Sequence, residues 1–125
     1  MRKWRYFRLD EFACRCCGET LIQRPLVDEL DELRGESGFP WVISSGYRCP
    51  AHNQAVSSTG PTGPHTTGWA VDIRVDRARA HRVLELAFLA GFPGIGVQQK
   101  GSSRFIHLDR LPNTPHSPRP TVWSY

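Results

Sequence analysis

His65, Asp72 and His107 are the residues of this 125-residue chain whose types suit metal chemistry. Two imidazoles and one carboxylate form a set that holds catalytic zinc and leaves a fourth position for water. Zinc in such a site polarises a carbonyl and lowers the pKa of water from about 16 to about 7. That is the chemistry of hydrolysis. A histidine on a strand is more commonly a satisfied or exposed side chain, so His107 alone says little. Asp72 is harder to dismiss. It interrupts the apolar run Val71-x-Ile73, although strands disfavour Asp and an unpaired buried charge is costly. Asp109 lies two residues beyond His107 and shares its strand face.

These residues need elements to hold them. Trp69 to Val75 alternates, with Trp69, Val71, Ile73 and Val75 on one face and Ala70, Asp72 and Arg74 on the other. Phe105 to Asp109 predicts another strand, with Ile106 and Leu108 inward and His107 and Asp109 outward. Lys100 to Ser103 is a turn before it, and Ile95 and Val97 mark a further strand. Two neighbouring strands thus offer polar groups on one side, which predicts a site on the surface of a sheet. His65 closes a Ser/Gly/Pro-rich loop over 57–64.

A first helix is predicted from Pro25, with Leu26, Leu30 and Leu33 inward, acids on the other face, and Gly35 and Gly38 ending it. Trp41-Val42-Ile43 reads as a buried strand, Ser44-Ser45-Gly46 as a turn, and Pro50 opens a short helix to Val56. A last helix follows Asp76 as its cap, with Ala80, Val83, Leu84, Ala87 and Phe88 as its apolar stripe and Gly91 as its stop. Residues 10–18 form a short helical turn running into a turn at Gly18. The proline-rich tail 112–125 is expected to wrap the surface without regular structure. Helices mixed with antiparallel strands predict an α+β domain, a small antiparallel sheet with flanking helices.

The length and the 39% apolar content predict one globular domain over residues 1–125. The net charge of +4 is modest. It suits nucleic acid, an anionic cell wall or plain solvation equally, with Arg2, Lys3, Arg5 and Arg8 as its one cluster. The N-terminus lacks the apolar run of a signal peptide, and no stretch approaches the ~20 apolar residues of a membrane helix. The expectation is a chain made in the cytoplasm, a monomer with neither membrane nor nucleic acid as a partner. Cys14, Cys16, Cys17 and Cys49 stay open between reduced thiols, one disulfide to Cys49 and a structural metal. Their C-x-C and C-C spacings differ from common zinc fingers.

Three blocks in order extend the pattern: Ser45-Gly46-Tyr47-Arg48, His65-x-x-Gly68-x-Ala70-x-Asp72-Ile73 and Phe105-Ile106-His107-x-Asp109. Over roughly residues 5–110 they resemble the zinc peptidases of the M15 type, which include D-alanyl-D-alanine carboxypeptidases and L-alanyl-D-glutamate endolysins. Their fold is shared with the amino-terminal signalling domain of hedgehog. The similarity is greatest to the short, phage-associated branch. The resemblance implies Zn2+ on His65, Asp72 and His107, and Arg48 in contact with substrate near the scissile bond. It implies a peptidase acting on peptidoglycan stem peptides at the bacterial cell wall, reached through phage lysis or as a virion component.

Two positions depart from the family. Gly63 stands where Ser is frequent, and Arg104 stands where an acid acts as general base. Asp109 is then the expected base or water-orienting group. The alternatives are that it fixes an imidazole or an arginine, or that the acid is missing and the domain only binds. Functionally, a zinc peptidase competes with a non-catalytic zinc-containing wall-binding or virion structural module. A cysteine-based nucleic-acid binder is disfavoured by the cysteine spacing.

Overall fold

The structure, a computed structural model, describes residues 4–125. Arg2 and Lys3 of the basic cluster lie outside the described residues. In chain order the elements are α1 (Arg24–Ser37), β1 (Val42–Ser45), α2 (Pro50–Val56), β2 (Ala70–Arg74), α3 (Arg77–Leu89), β3 (Gly94–Gln98), β4 (Phe105–Asp109) and β5 (Thr121–Ser124). Short 3-10 turns cover Leu9–Phe12, Gly60–Thr62 and Pro64–Thr67. This is an α+β fold. No helix among the described residues is long and apolar enough to cross a membrane.

The sheet runs β1-β2-β4-β3-β5. The first four strands pair antiparallel, whereas β5 joins β3 in parallel. The tail expected to be irregular thus supplies a strand, and the sheet is mixed. Prolines at 112, 115, 118 and 120 hid it, because they all fall before the four residues that pair. Ser44 and Ser45, expected in a turn, continue β1 past an irregularity between Ile43 and Ser45.

Ile43, Val71, Ile73, Ile95, Ile106 and Leu108 build one buried cluster with Leu26, Val27 and Leu30 of α1 and Val83 and Ala87 of α3. Several expectations for the helices need correction. Phe88 of the predicted stripe is 61% exposed, and Leu86 is buried instead. Asp76 holds the cap position of α3 without a side-chain capping bond. In α1 not every acid faces solvent: Asp31 is buried and accepts the backbone N–H groups of Arg5 and Tyr6 at 3.1 and 2.9 Å. Gly38 ends the helix in a left-handed conformation, whereas Gly35 lies within it.

The opposite sheet face carries the polar residues. Asp72 pairs directly with His107, and Ala70 with Asp109. On the other flank of β4, Gly94 lies opposite Asp109 and Gly96 opposite His107. A Cβ on Gly94 would strike the Asp109 carboxylate, and one on Gly96 would come within 2.7 Å of the Trp123 indole. The two glycines form a flat shelf on which a carboxylate and an aromatic ring rest. Gly96→Val is therefore expected to push Trp123 off the sheet and lower stability by about 1–3 kcal/mol, the usual cost of overpacking. Urea unfolding measures this, and an unchanged midpoint would mean that β5 is not packed there.

Candidate metal centre

His65 comes from the 3-10 turn between Gly63 and Gly68, Asp72 from β2 and His107 from β4. All three are buried, at 5%, 5% and 2% exposure. Asp72 Oδ1 lies 3.2 Å from His65 Nε2 and 3.0 Å from His107 Nδ1. The rings of the two histidines meet edge to face, with centroids 5.1 Å apart.

Hydrogen bonds settle which ring nitrogens face inward. His65 Nδ1 lies 2.8 Å from the carbonyl oxygen of Gly46. A carbonyl only accepts, so Nδ1 carries the proton and Nε2 presents a lone pair. His107 Nε2 lies 2.8 Å from Asp109 Oδ2. That carboxylate is ionised, so Nε2 donates, and Nδ1, which faces Asp72 Oδ1 at 3.0 Å, presents a lone pair once the imidazole is neutral. Two nitrogen lone pairs and a carboxylate oxygen then converge, all within 4.8 Å of one another. Acceptors do not crowd together unless a proton or a cation lies between them. With metal–nitrogen bonds of about 2.0–2.1 Å, neighbouring ligands of a tetrahedral ion lie about 3.3 Å apart. The donor set fits a zinc ion in both chemistry and spacing.

Asp109 is fully buried. Arg119 Nε and Nη2 donate to its two oxygens at 3.0 and 2.8 Å, and the Leu111 N–H donates at 3.3 Å. Burial pushes its carboxyl up, but the His107 and Arg119 bonds more than offset this and hold it at about 2. The carboxylate stays ionised and braced against His107. It does not line the cleft, whose walls include Arg48, Phe105, His116, Arg119, Trp123 and Tyr125 in a volume of about 1050 Å³.

Arg48 lies on the rim beside Asp72. Its Nε donates to Ser45 Oγ at 3.0 Å, Nη1 to Asn53 Oδ1 at 3.1 Å and Nη2 to Asp72 Oδ2 at 3.5 Å. The guanidinium thus engages the Asp72 oxygen that the histidines leave free. Burial pushes the Asp72 carboxyl up, yet the flanking imidazoles hold it below the usual carboxylate range. Burial pushes the His107 imidazole down, but Asp109 and Asp72 outweigh it and raise it above its ordinary 6.5.

Several contributors were not legible beforehand. Asn53 is fully buried and anchors Arg48; it also donates to Thr59 Oγ1 at 2.9 Å and to the Gly60 carbonyl. Its signal was weak, a polar residue in a short helix. Trp123 covers His107 with centroids 5.1 Å apart, and Arg119 comes from the tail that read as irregular. Gly63 is explained by space: a Cβ there would strike Thr59 Oγ1 and come within 2.7 Å of Asn53 Nδ2, two groups that are hydrogen-bonded to each other. Arg104 turns to the Gly101 carbonyl at 2.9 Å and braces the β3–β4 turn. His52 is absent from the cleft walls, His116 is among them, and His81 is exposed on α3.

A family model described as Peptidase M15 matches residues 5–109. No curated protein matches the chain.

Two outcomes follow from this geometry. Metal binding needs the His107 Nδ1 lone pair, and a raised imidazole holds its proton to higher pH. Zinc affinity is therefore expected to fall as pH drops, beginning above 6.5 and by roughly tenfold per pH unit for each proton displaced. Chelator competition between pH 6 and 8 measures it, and a flat profile would exclude an imidazole ligand. Asp109→Asn loses the charge that holds His107 and Arg119. Its zinc affinity is expected to weaken by about 10- to 100-fold, as when outer partners of metal-bound histidines are removed.

Proposed function

The chain belongs to the M15 peptidase family, and on that premise we propose that it is a zinc-dependent peptidase cutting a peptide bond in bacterial peptidoglycan stem peptides. Its action is of the carboxypeptidase or endolysin type, at the cell wall, reached through phage lysis or as a virion component. The observation that carries the reading is the convergence of His65 Nε2, Asp72 Oδ1 and His107 Nδ1 beside an open cleft. The cleft also suits the substrate class. Stem peptides are short and carry free carboxylates, and Arg48, Arg119 and His116 line it together with Phe105, Trp123 and Tyr125. The net charge of +4 favours approach to an anionic wall.

When bound, zinc polarises the scissile carbonyl and acidifies water. The remaining work belongs to side chains. His65 and His107 are locked in one tautomer each, so their ligand nitrogens need no rearrangement. Arg48 is held by Ser45, Asn53 and Asp72 and presents positive charge where a carbonyl oxygen gains negative charge. Asp109 acts as a positioning residue for His107 and not as the base, because both its oxygens are engaged in a fully buried place. His116 on the cleft wall is then the side chain suited to carry a proton towards the leaving amine.

A non-catalytic wall-binding module is the second reading, favoured by one observation: among the described residues, Asp72 is the only carboxylate lining the cleft. Turbidity of a peptidoglycan suspension, with mass spectrometry of the released fragments, separates the two. New amino and carboxyl termini at a stem-peptide bond are expected. Sedimentation of the protein with walls that remain intact would favour the module.

Arg48→Lys keeps the charge but loses the fork, and activity is expected to fall by about 10- to 1000-fold with zinc retained. Wild-type activity in that variant would make Arg48 purely structural. His116→Ala is expected to lower kcat by about 10²- to 10⁴-fold without changing zinc content. An unaffected rate would remove His116 as the proton carrier.

A further inference from the structure

Among the described residues, one other group of side chains besides the His/Asp/His set has the chemistry of a metal site. Cys14, Cys16 and Cys17 follow the first 3-10 turn, and Cys49 lies far along the chain at the N-cap of α2. The fold brings all four sulfurs within 4.8 Å of one another. None is in a disulfide. Cys16 Sγ lies 3.8 Å from Cys14 Sγ and 3.3 Å from Cys49 Sγ. Four sulfurs at about 2.3 Å from a tetrahedral zinc lie about 3.8 Å from each other. The observed spacings are close to that figure.

The backbone is shaped for such a loop. Cys14 N–H donates to the Glu19 carbonyl at 2.7 Å, and Gly18 N–H donates back to the Cys14 carbonyl at 2.9 Å. Gly18 has φ +75°, a conformation that side chains resist. The turn therefore holds Cys14 and Cys17 at the C-x2-C spacing common in zinc sites, a pair that the intervening Cys16 masks in a reading by C-x-C and C-C spacings. Two backbone donors also point at sulfur: Cys49 N–H at 3.3 Å from Cys14 Sγ, and His52 N–H at 3.4 Å from Cys49 Sγ. Such donors offset the negative charge of a four-thiolate site. Thiolates without imidazole or carboxylate select a soft or borderline ion, with zinc the common tetrahedral choice.

We infer that Cys14, Cys16, Cys17 and Cys49 form a second, structural zinc site, each thiol giving its proton to solvent as it binds. The site would join the N-terminal segment to the strap after β1. That strap serves the other centre directly. The Gly46 carbonyl accepts from His65 Nδ1, Tyr47 N–H donates to the Phe12 carbonyl at 2.9 Å, and Arg48 N–H donates to the His65 carbonyl at 3.2 Å. A metal on Cys49 thus anchors the residue next to Arg48.

Loading the full-length, thiol-reduced protein with zinc and with Co(II) tests this independently of any activity. Two metals per chain are expected, and the cobalt form should show a sulfur-to-metal charge-transfer band in the near ultraviolet. Cys17→Ser and Cys49→Ser should each weaken that band and lower the tight metal count towards one. His107→Ala should lose the other metal and keep the band. The wild-type spectrum decides even where a variant fails to fold. Absence of the sulfur band in the reduced wild type would overturn the site. So would a metal count that the cysteine variants leave unchanged, or a Cys16–Cys49 disulfide found in protein alkylated at lysis.

Discussion

His107 has a carboxylate oxygen beside each ring nitrogen, that of Asp72 at 3.0 Å and that of Asp109 at 2.8 Å, in a place where 2% of its surface meets solvent. Everything around it follows from the need to bury an imidazole between two carboxylates. Each carboxylate must be ionised and each must be paired, because an isolated buried charge is far more costly than a hydrogen-bonded one. Arg48 answers Asp72, and Arg119 answers Asp109. Among the described residues no buried side-chain nitrogen or oxygen lacks a hydrogen-bond partner. A network of this kind is rigid only when complete, and here it is complete apart from the point where three ligand atoms face one another.

The sheet supplies the register that this network requires. Asp72 and His107 sit directly opposite on β2 and β4. A one-residue slip would send either of them to the apolar face. Ile73, Ile106 and Leu108 on that other face, all fully buried, hold the register in place. Stability and site geometry thus rest on the same alternation. The parallel strand β5 then closes the polar side with Trp123, which converts a surface arrangement into a buried one.

The two groups of potential metal ligands differ in setting as well as in chemistry. The His/Asp/His set adjoins a cleft and offers three protein ligands, which leaves room for a reacting molecule. Four thiols would close a coordination sphere and leave none. The segment Gly46–Arg48 lies between them, touching His65 by its carbonyl and preceding Cys49 directly. Bracing on one side of that strap bears on orientation at the other.

Strand alternation in residues 69–75 and 105–109 was enough to read the two central strands, their apolar faces and the placement of Asp72, His107 and Asp109 on polar faces. The reason is local: a period of two needs only neighbouring residues to be visible. Side-chain type marked His65, Asp72 and His107 as candidate ligands, since that chemistry does not depend on the fold, and the resemblance to the M15 peptidases implied them as a set. What Asp109 touches was not legible. Its partner Arg119 reaches it from a proline-rich tail, through a strand of four residues too short to show a pattern. The glycine shelf was also hidden, because Gly94 and Gly96 matter for what crosses above them and not for their own strand. Cysteines 35 residues apart reveal nothing by spacing, and only the chain's return after β1 brings Cys49 against Cys14. Sequence determined which groups could do chemistry; pairing between distant strands decided which of them meet, because contact across the chain is set by tertiary packing and leaves no local period.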